Sequence, residues 1–330
     1  MKRTISLICC LLMLAALCVG CGYNERVPEE DDLIVVGFSQ LGSESDWRIA
    51  NTRSITEALC EENGYELILD NAKQKQENQL IAIRNFILQG VDIIVLAPAS
   101  ETGWENVLLE ARSAGIPVII VDREVSVSNE SLYISRIGSD FLREGRSAVT
   151  WLEEELAVRG RTNESINILH IKGTDGATAQ IQRSQAIEDG AQAHDNWNIV
   201  AQLDGEFTEA KGYEVVRDYL ESNRDIDVIY SENDNMTFGA MRALDEAGLT
   251  YGKDGDIIII SFDAVREALQ YCMEGRINLC VECNPLHGSL LDELIKAYRA
   301  GEDIPRITYV DETCFTSDSL TPELIDSREY

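Results

Sequence analysis

The stretch from Tyr65 to Leu96, Y-E-L-I-L-D-N-A-K-Q-K-Q-E-N-Q-L-I-A-I-R-N-F-I-L-Q-G-V-D-I-I-V-L, decides the fold class. Its two ends, Tyr65 to Leu69 and Asp92 to Leu96, are short apolar runs bounded by polar residues, which predicts strands. Between them, Gln76 to Leu88 places Leu80, Ile83 and Ile87 on one side of a 3.6-residue repeat, which predicts a helix with one apolar face. A strand, a helix and a second strand in so short a span imply two parallel strands of one sheet joined by a helical crossover.

The same grammar runs along the chain. Further strands are predicted at Leu33 to Phe38, Pro117 to Val121, Ser131 to Ile134, Ile166 to His170, Ile199 to Leu203, Asp227 to Tyr230, Asp256 to Ser261 and Ile277 to Cys283, with a helical repeat such as Val216 to Leu220 among them. Repeated β-α-β means parallel sheets covered by helices on both faces. The pattern stutters at the polar Glu124 to Ser131 and then restarts, so the α/β reading is of two similar doubly wound parallel-sheet lobes. A length of 330 residues with 45% hydrophobic content gives each lobe a core.

Charge narrows the partners. Against 58 Asp+Glu there are only 28 Lys+Arg, a net charge of -30, so a surface that neutralises phosphates is excluded and nucleic acid is not expected as a partner. Residues 1–20 read as a secretory signal, because Lys2 and Arg3 precede an uncharged apolar run from Ile5 to Val19 that is short for a membrane span. Gly20-Cys21 followed by an acidic stretch resembles a bacterial lipobox. Cys21 is therefore expected to be lipidated, with residues 21–32 as an acidic tether; an ordinary cleaved signal with a chance cysteine is the alternative. Five cysteines remain: Cys60, Cys272, Cys280, Cys283 and Cys314. The spacing of Cys280 and Cys283 is half a zinc site, but no second pair completes it, so neither a metal nor a cofactor is expected.

In open parallel sheets ligands bind beyond the carboxyl ends of the strands, so the residues directly after each apolar run carry the functional information. Those are Gln40 to Trp47, Ala97-Pro98, Thr102 to Trp104 and Asp122-Arg123, then Gly173 to Arg183, Phe207, Asn233-Asp234 and Asp263. Carboxylates, amides and guanidinium groups bond vicinal hydroxyls, and an aromatic face packs the C–H side of a sugar ring, so the set suits an uncharged polyol. Plainer readings exist for each: a surface ion pair for Asp122-Arg123, a core position for Trp104, a solvated side chain for Arg183, and helix caps for Asn233 and Asp263. An enzyme is disfavoured. There is no G-x-S-x-G, H-E-x-x-H or phosphate-cradling loop, and His170, His194 and His287 lack evident catalytic partners.

The chain resembles the sugar-binding proteins of ABC importers in the ribose/galactose periplasmic-binding class, and within it the galactofuranose-binding branch. The resemblance rests on V-G-F-S-Q-L-G-S-E-S-D-W-R at Val36 to Arg48, Q-K-Q-E-N-Q at Gln74 to Gln79, Q-G-V-D at Gln89 to Asp92, T-G-W at Thr102 to Trp104, Asp122-Arg123, and K-G-Y-E-V at Lys211 to Val215. It implies a type I periplasmic-binding-protein fold with a three-strand hinge. Carried over by position, the ligand-binding residues are Ser43, Glu44, Ser45, Asp46, Trp47, Asp122, Arg123, Arg183, Phe207, Asn233 and Asp263. The class crosses between lobes three times, which here assigns residues 33–137 plus 284–311 to the first lobe and 138–283 plus 312–330 to the second. Two crossings running side by side would bring Cys314 near Cys280 or Cys283, where a disulfide is conceivable. The implied function is an extracytoplasmic, lipid-anchored binding protein, a monomer that closes on a monosaccharide and docks to ABC permease subunits. A sensor subunit presenting the same closed form to a chemoreceptor or histidine kinase is the alternative.

Overall fold

The computed structural model describes residues 33–330. The expected signal, Cys21 and the tether lie outside the described residues. The first βαβ unit comprises β1 (Ile34–Gln40), α1 (Asp46–Ala58) and β2 (Tyr65–Asn71), followed by α2 (Gln76–Gln89), β3 (Ile93–Leu96), α3 (Glu105–Ser113), β4 (Val118–Val121) and β5 (Ser135–Gly138). Next come α4 (Phe141–Val158), β6 (Ile166–Lys172), α5 (Thr178–Ala193), β7 (Trp197–Asp204), α6 (Glu209–Leu220), β8 (Val228–Ser231), α7 (Asp234–Ala247), β9 (Ile258–Asp263), α8 (Arg266–Met273) and β10 (Leu279–Glu282). The chain ends with α9 (Gly288–Arg299), β11 (Ile307–Tyr309), β12 (Cys314–Phe315) and α10 (Pro322–Asp326).

Two six-stranded sheets result, ordered β11-β5-β4-β3-β1-β2 and β12-β10-β9-β8-β6-β7. Every pairing is parallel except the antiparallel β10–β12 pair. Both sheets are covered on both faces, which explains why β3, β4 and β9 are buried along their whole length. In each sheet the strand order reverses direction next to its first strand, at β1/β3 and at β6/β8. Such a reversal opens a crevice at the carboxyl ends of the strands.

The fifth strand corrects the sequence reading. Ser131 and Leu132 belong to a 3-10 turn over Glu130–Leu132, and the strand runs from Ser135 to Gly138 instead. Its polar letters disguise it. Ser135 donates to the Pro305 carbonyl at 2.8 Å, and Arg136, 2% exposed, donates to the carbonyls of Asp122 and Ser139, so both polar side chains are buried in a strand. Strands β11 and β12 are too short to leave a periodic signal.

The chain passes between the sheets three times, after β5, after β10 and after β11. The three segments are bonded to each other: Ser139 Oγ lies 3.3 Å from Cys283 Sγ and donates to Glu312 Oε1, which also accepts from the Asn284 amide at 3.1 Å. The conceived disulfide is absent. All five cysteines are free, and although β12 lies beside β10, Cys314 pairs with Val281 while Cys280 turns inward to the Ala268 carbonyl.

Candidate functional site

A cleft lies between the two sheets, lined by residues from both, with about 310 Å³ of empty space when the part open to solvent is counted. From the first come Glu44, Ser45, Trp47, Arg48, Asp122 and Arg123; from the second, Phe141, Ala179, Arg183, Phe207, Asn233 and Asp263; Cys283 of the second crossing closes it.

Local sequence explains the placement. The loop after β1 ends at Ser45, whose hydroxyl accepts from the Arg48 amide and starts α1, so the first helical turn aims Trp47 and Arg48 inward. Trp47 Nε1 donates to the Cys283 carbonyl at 2.6 Å, and its ring meets His287 edge-on. Asp122, Phe207 and Asp263 all have left-handed backbone, at φ +66°, +59° and +106°. Each such residue costs about 1–3 kcal/mol, a cost that clusters at functional sites. Gly173 makes room for the aromatic wall, because a Cβ there would fall 1.9 Å from Phe207 Cζ. Asn233 caps α7 by accepting from the Met236 amide and donates to the Phe207 carbonyl, so the cap and the cleft roles coincide.

Charge in the cleft is nearly balanced. Arg48 Nη2 donates to Asp122 Oδ2 at 2.6 Å and its Nε to Glu44 Oε1 at 3.1 Å. Burial alone would raise the Asp122 pKa, but Arg48 and Arg123 outweigh it and hold the carboxyl below its ordinary value. Burial and Arg48 lower Arg123 to about 10. Arg183 donates to Glu144 Oε2 at 2.7 Å and to the Glu232 carbonyl at 2.6 Å. Asp263, 5% exposed, differs: Arg183 Nη1 stands 3.8 Å away, and burial with the nearby Asp234 pushes its pKa well up. Glu44 Oε2 is buried without a hydrogen-bond partner among the described residues, whereas Arg183 Nη2 stands 2.6 Å from Glu144 Oε2. An acceptor left open this way, in a cleft with little net charge, is complementary to a hydroxyl of a neutral polyhydroxyl ligand.

Nine of the eleven residues expected at the site line this cleft. Ser43 and Asp46 do not: both are exposed at its rim, Ser43 accepting from Asn71 and Asp46 bonding Asn235. At the start of α1, Ser45, Trp47 and Arg48 face in while Asp46 faces out. Arg48, Phe141, Ala179 and Cys283 line the cleft without having been singled out. Arg48 stands inside the motif at Val36 to Arg48, and its burial at 3% beside two carboxylates is the signal that sequence alone hides. Trp104 is a core residue, fully buried with Nε1 bonded to the Ser100 carbonyl. His170 does have a carboxylate partner, Glu232 at 2.8 Å, but both are fully buried and Glu232 also holds the Gly173 amide, so the pair braces the loop behind Phe207. Gln79 braces the opposite loop, donating to the Ala97 carbonyl and accepting from the Ala99 amide, next to the carbonyl that takes Arg123 Nη1.

A family model described as a periplasmic binding protein domain matches residues 36–287. The chain belongs to that family. It is 36% identical over 295 residues to the galactofuranose-binding protein YtfQ of Escherichia coli (strain K12), covering 88% of this chain and 90% of the relative. Among solved structures, a Mycobacterium smegmatis protein in complex with β-D-fucofuranose superposes with a TM-score of 0.82 at 40% identity, covering 86% of this chain and 92% of the other. The periplasmic binding protein component of the arabinose ABC transporter from Shewanella sp. ANA-3, bound to α- and β-L-arabinofuranose, superposes with a TM-score of 0.82 at 39% identity, covering 89% and 95%. As a member of this family the chain is a two-lobed binding protein with its ligand cleft between the lobes.

Proposed function

We propose that this protein is the extracytoplasmic binding subunit of an ABC sugar importer and that it closes on a monosaccharide in furanose form, such as galactofuranose, fucofuranose or arabinofuranose. The observation that carries the reading is the cleft's composition: Asp122 and Arg123 from one lobe, Arg183 and Asp263 from the other, walled by Trp47 and Phe207. A bound sugar is then the bridge that makes closure favourable, because its hydroxyls satisfy donors and acceptors on both lobes at once. Furanose-bound relatives near 40% identity support the ring form. The protein binds its sugar without chemical change, since Asp122 is committed to Arg48 and Arg123.

A thermal-shift screen of pentoses and hexoses tests the reading. A ligand at 100 times its dissociation constant adds about 2.7 kcal/mol of stability. Furanose-forming galactose, fucose or arabinose should give the largest shift; a larger shift with glucose or maltose would overturn the assignment, as would recovery of a chemically altered sugar. The location follows from the leader: Cys21, once acylated, holds the protein to the outer face of a membrane. Cys21→Ala should release it from the membrane fraction, and retention of a correctly processed variant would refute the anchor.

A further inference from the structure

Asp46 and Asn235 face each other across the mouth of the cleft. Asp46 is the first residue of α1, on the first lobe, and Asn235 is the second of α7, on the other. The Asp46 amide donates to Asn235 Oδ1 at 3.1 Å, and Asn235 Nδ2 donates back to Asp46 Oδ2 at 2.8 Å. An amide in the first turn of a helix has no partner within that helix, so the asparagine oxygen satisfies a donor that would otherwise turn to water. Neither residue lines the cleft.

Their neighbours do. Ser45 and Trp47 flank Asp46 and line the sugar cleft, and Asn233, two residues before Asn235, lines it too. The rim pair therefore sits on the same helix starts that present the ligand-facing side chains, and it forms when those starts come together. Other bonds between the lobes run from Trp47 Nε1 and the Arg53 guanidinium, both on α1, to the carbonyls of Cys283 and Glu329, from the Glu124 amide to Thr178 Oγ1 at 2.9 Å and from the Glu101 amide to the Gly176 carbonyl at 3.1 Å.

We propose that the reciprocal Asp46–Asn235 pair is a sugar-independent latch that sets affinity by stabilising the closed arrangement of the lobes. A contact of this kind changes the population of the binding-competent form and not the contacts made to sugar. The apparent dissociation constant scales inversely with that population, so every sugar is affected by the same factor. Two neutral or singly charged hydrogen bonds at an exposed rim correspond to about a three- to tenfold change.

The inference rests on the proposed sugar-binding reading, and the experiment separates the two. Calorimetric titration of the parent, Asp46→Ala, Asn235→Ala and the double variant would use galactose and arabinose, with dissociation rates from stopped-flow fluorescence. No binding of either sugar to the parent refutes the functional reading and leaves nothing to latch. Given parent binding, Asn235→Ala, which removes both bonds, should weaken both sugars about three- to tenfold by one common factor, through faster dissociation, and Asp46→Ala, which keeps the backbone donor, should weaken both by a smaller common factor. The double variant should be no weaker than Asn235→Ala, and Asp46→Asn, which keeps an acceptor and the amide, should recover most of the affinity. Parent-like affinity in both single variants overturns the latch. So does a loss that differs strongly between the sugars, which would make Asp46 a direct ligand contact, or a double variant whose losses simply add.

Discussion

Replacing Arg123 by alanine should separate sugar binding from folding. The side chain is buried, its Nη1 donates to the Ala99 carbonyl at 2.8 Å, and its guanidinium stands 5.5 Å from the Phe207 ring centroid across the cleft. Asp122 keeps its shorter partner, Arg48 at 2.6 Å, when Arg123 is gone, so no carboxylate is stranded. The Ala99 carbonyl is only half-buried, so water can replace the lost donor. The sugar-free protein should therefore lose no more than about 1 kcal/mol of stability. The ligand loses a charged donor in a dry cleft, worth about 1.5–3 kcal/mol, or a roughly 10- to 150-fold weaker dissociation constant. Calorimetric titration with galactose and arabinose, paired with a melting curve of the free protein, reads both quantities. Affinity within threefold of the parent for every sugar would refute the cleft assignment of Arg123. An equally large fall in the melting temperature would refute its separation from the fold.

Arg183→Ala should behave differently, because it leaves Glu144, 3% exposed, without its cation; breaking such a buried pair costs about 3–5 kcal/mol, visible in chemical denaturation without sugar. Gly173→Ala should weaken sugar binding at least tenfold although it adds only a methyl group, since Phe207 must leave its place; binding unchanged in calorimetry would show that Phe207 is not a wall of the site. Burial raises the Glu312 pKa to about 8, with Glu144 adding to the effect, so the native state disfavours its charged form. Its contribution to stability is present below pH 4.5 and is lost as pH rises toward 8; Glu312→Gln should flatten the decline of the melting temperature across that window. His287 runs the other way. Burial lowers it to about 4, so its contribution is present above pH 6.5 and is lost as pH falls toward 4, and His287→Leu should lessen the acid-side loss in the same measurement.

The parallel-sheet architecture was legible because strands covered on both faces must be nearly continuous apolar runs, as β3 and β4 are. Strand β5 was misplaced because its inward side chains, Ser135 and Arg136, are polar groups satisfied by backbone carbonyls. At the site, the strand-end rule found Asp122, Phe207, Asn233 and Asp263, each at the last residue of a strand, directly after one or in the loop that follows it. It cannot resolve direction within a loop. That is why Asp46 was grouped with the ligand residues while its amide and carboxylate bond Asn235 on the other lobe, and why Arg48, one turn into α1, was passed over. Phe141 and Cys283 reach the cleft from the segments that join the lobes, a placement that depends on where the chain crosses and not on any local pattern.

The most direct test of a furanose held between the lobes is the ¹³C NMR spectrum of galactose, fucose and arabinose, each labelled at C1, titrated with the protein. Anomeric carbons of five- and six-membered rings resonate apart, so the bound signal reports the ring form itself. The prediction is that at least one of these sugars gives a slowly exchanging bound signal in the furanose region, drawn from its minor solution form, and that Arg123→Ala abolishes it at the same concentrations. A bound signal at a pyranose position, or none with any of the three, would contradict the account.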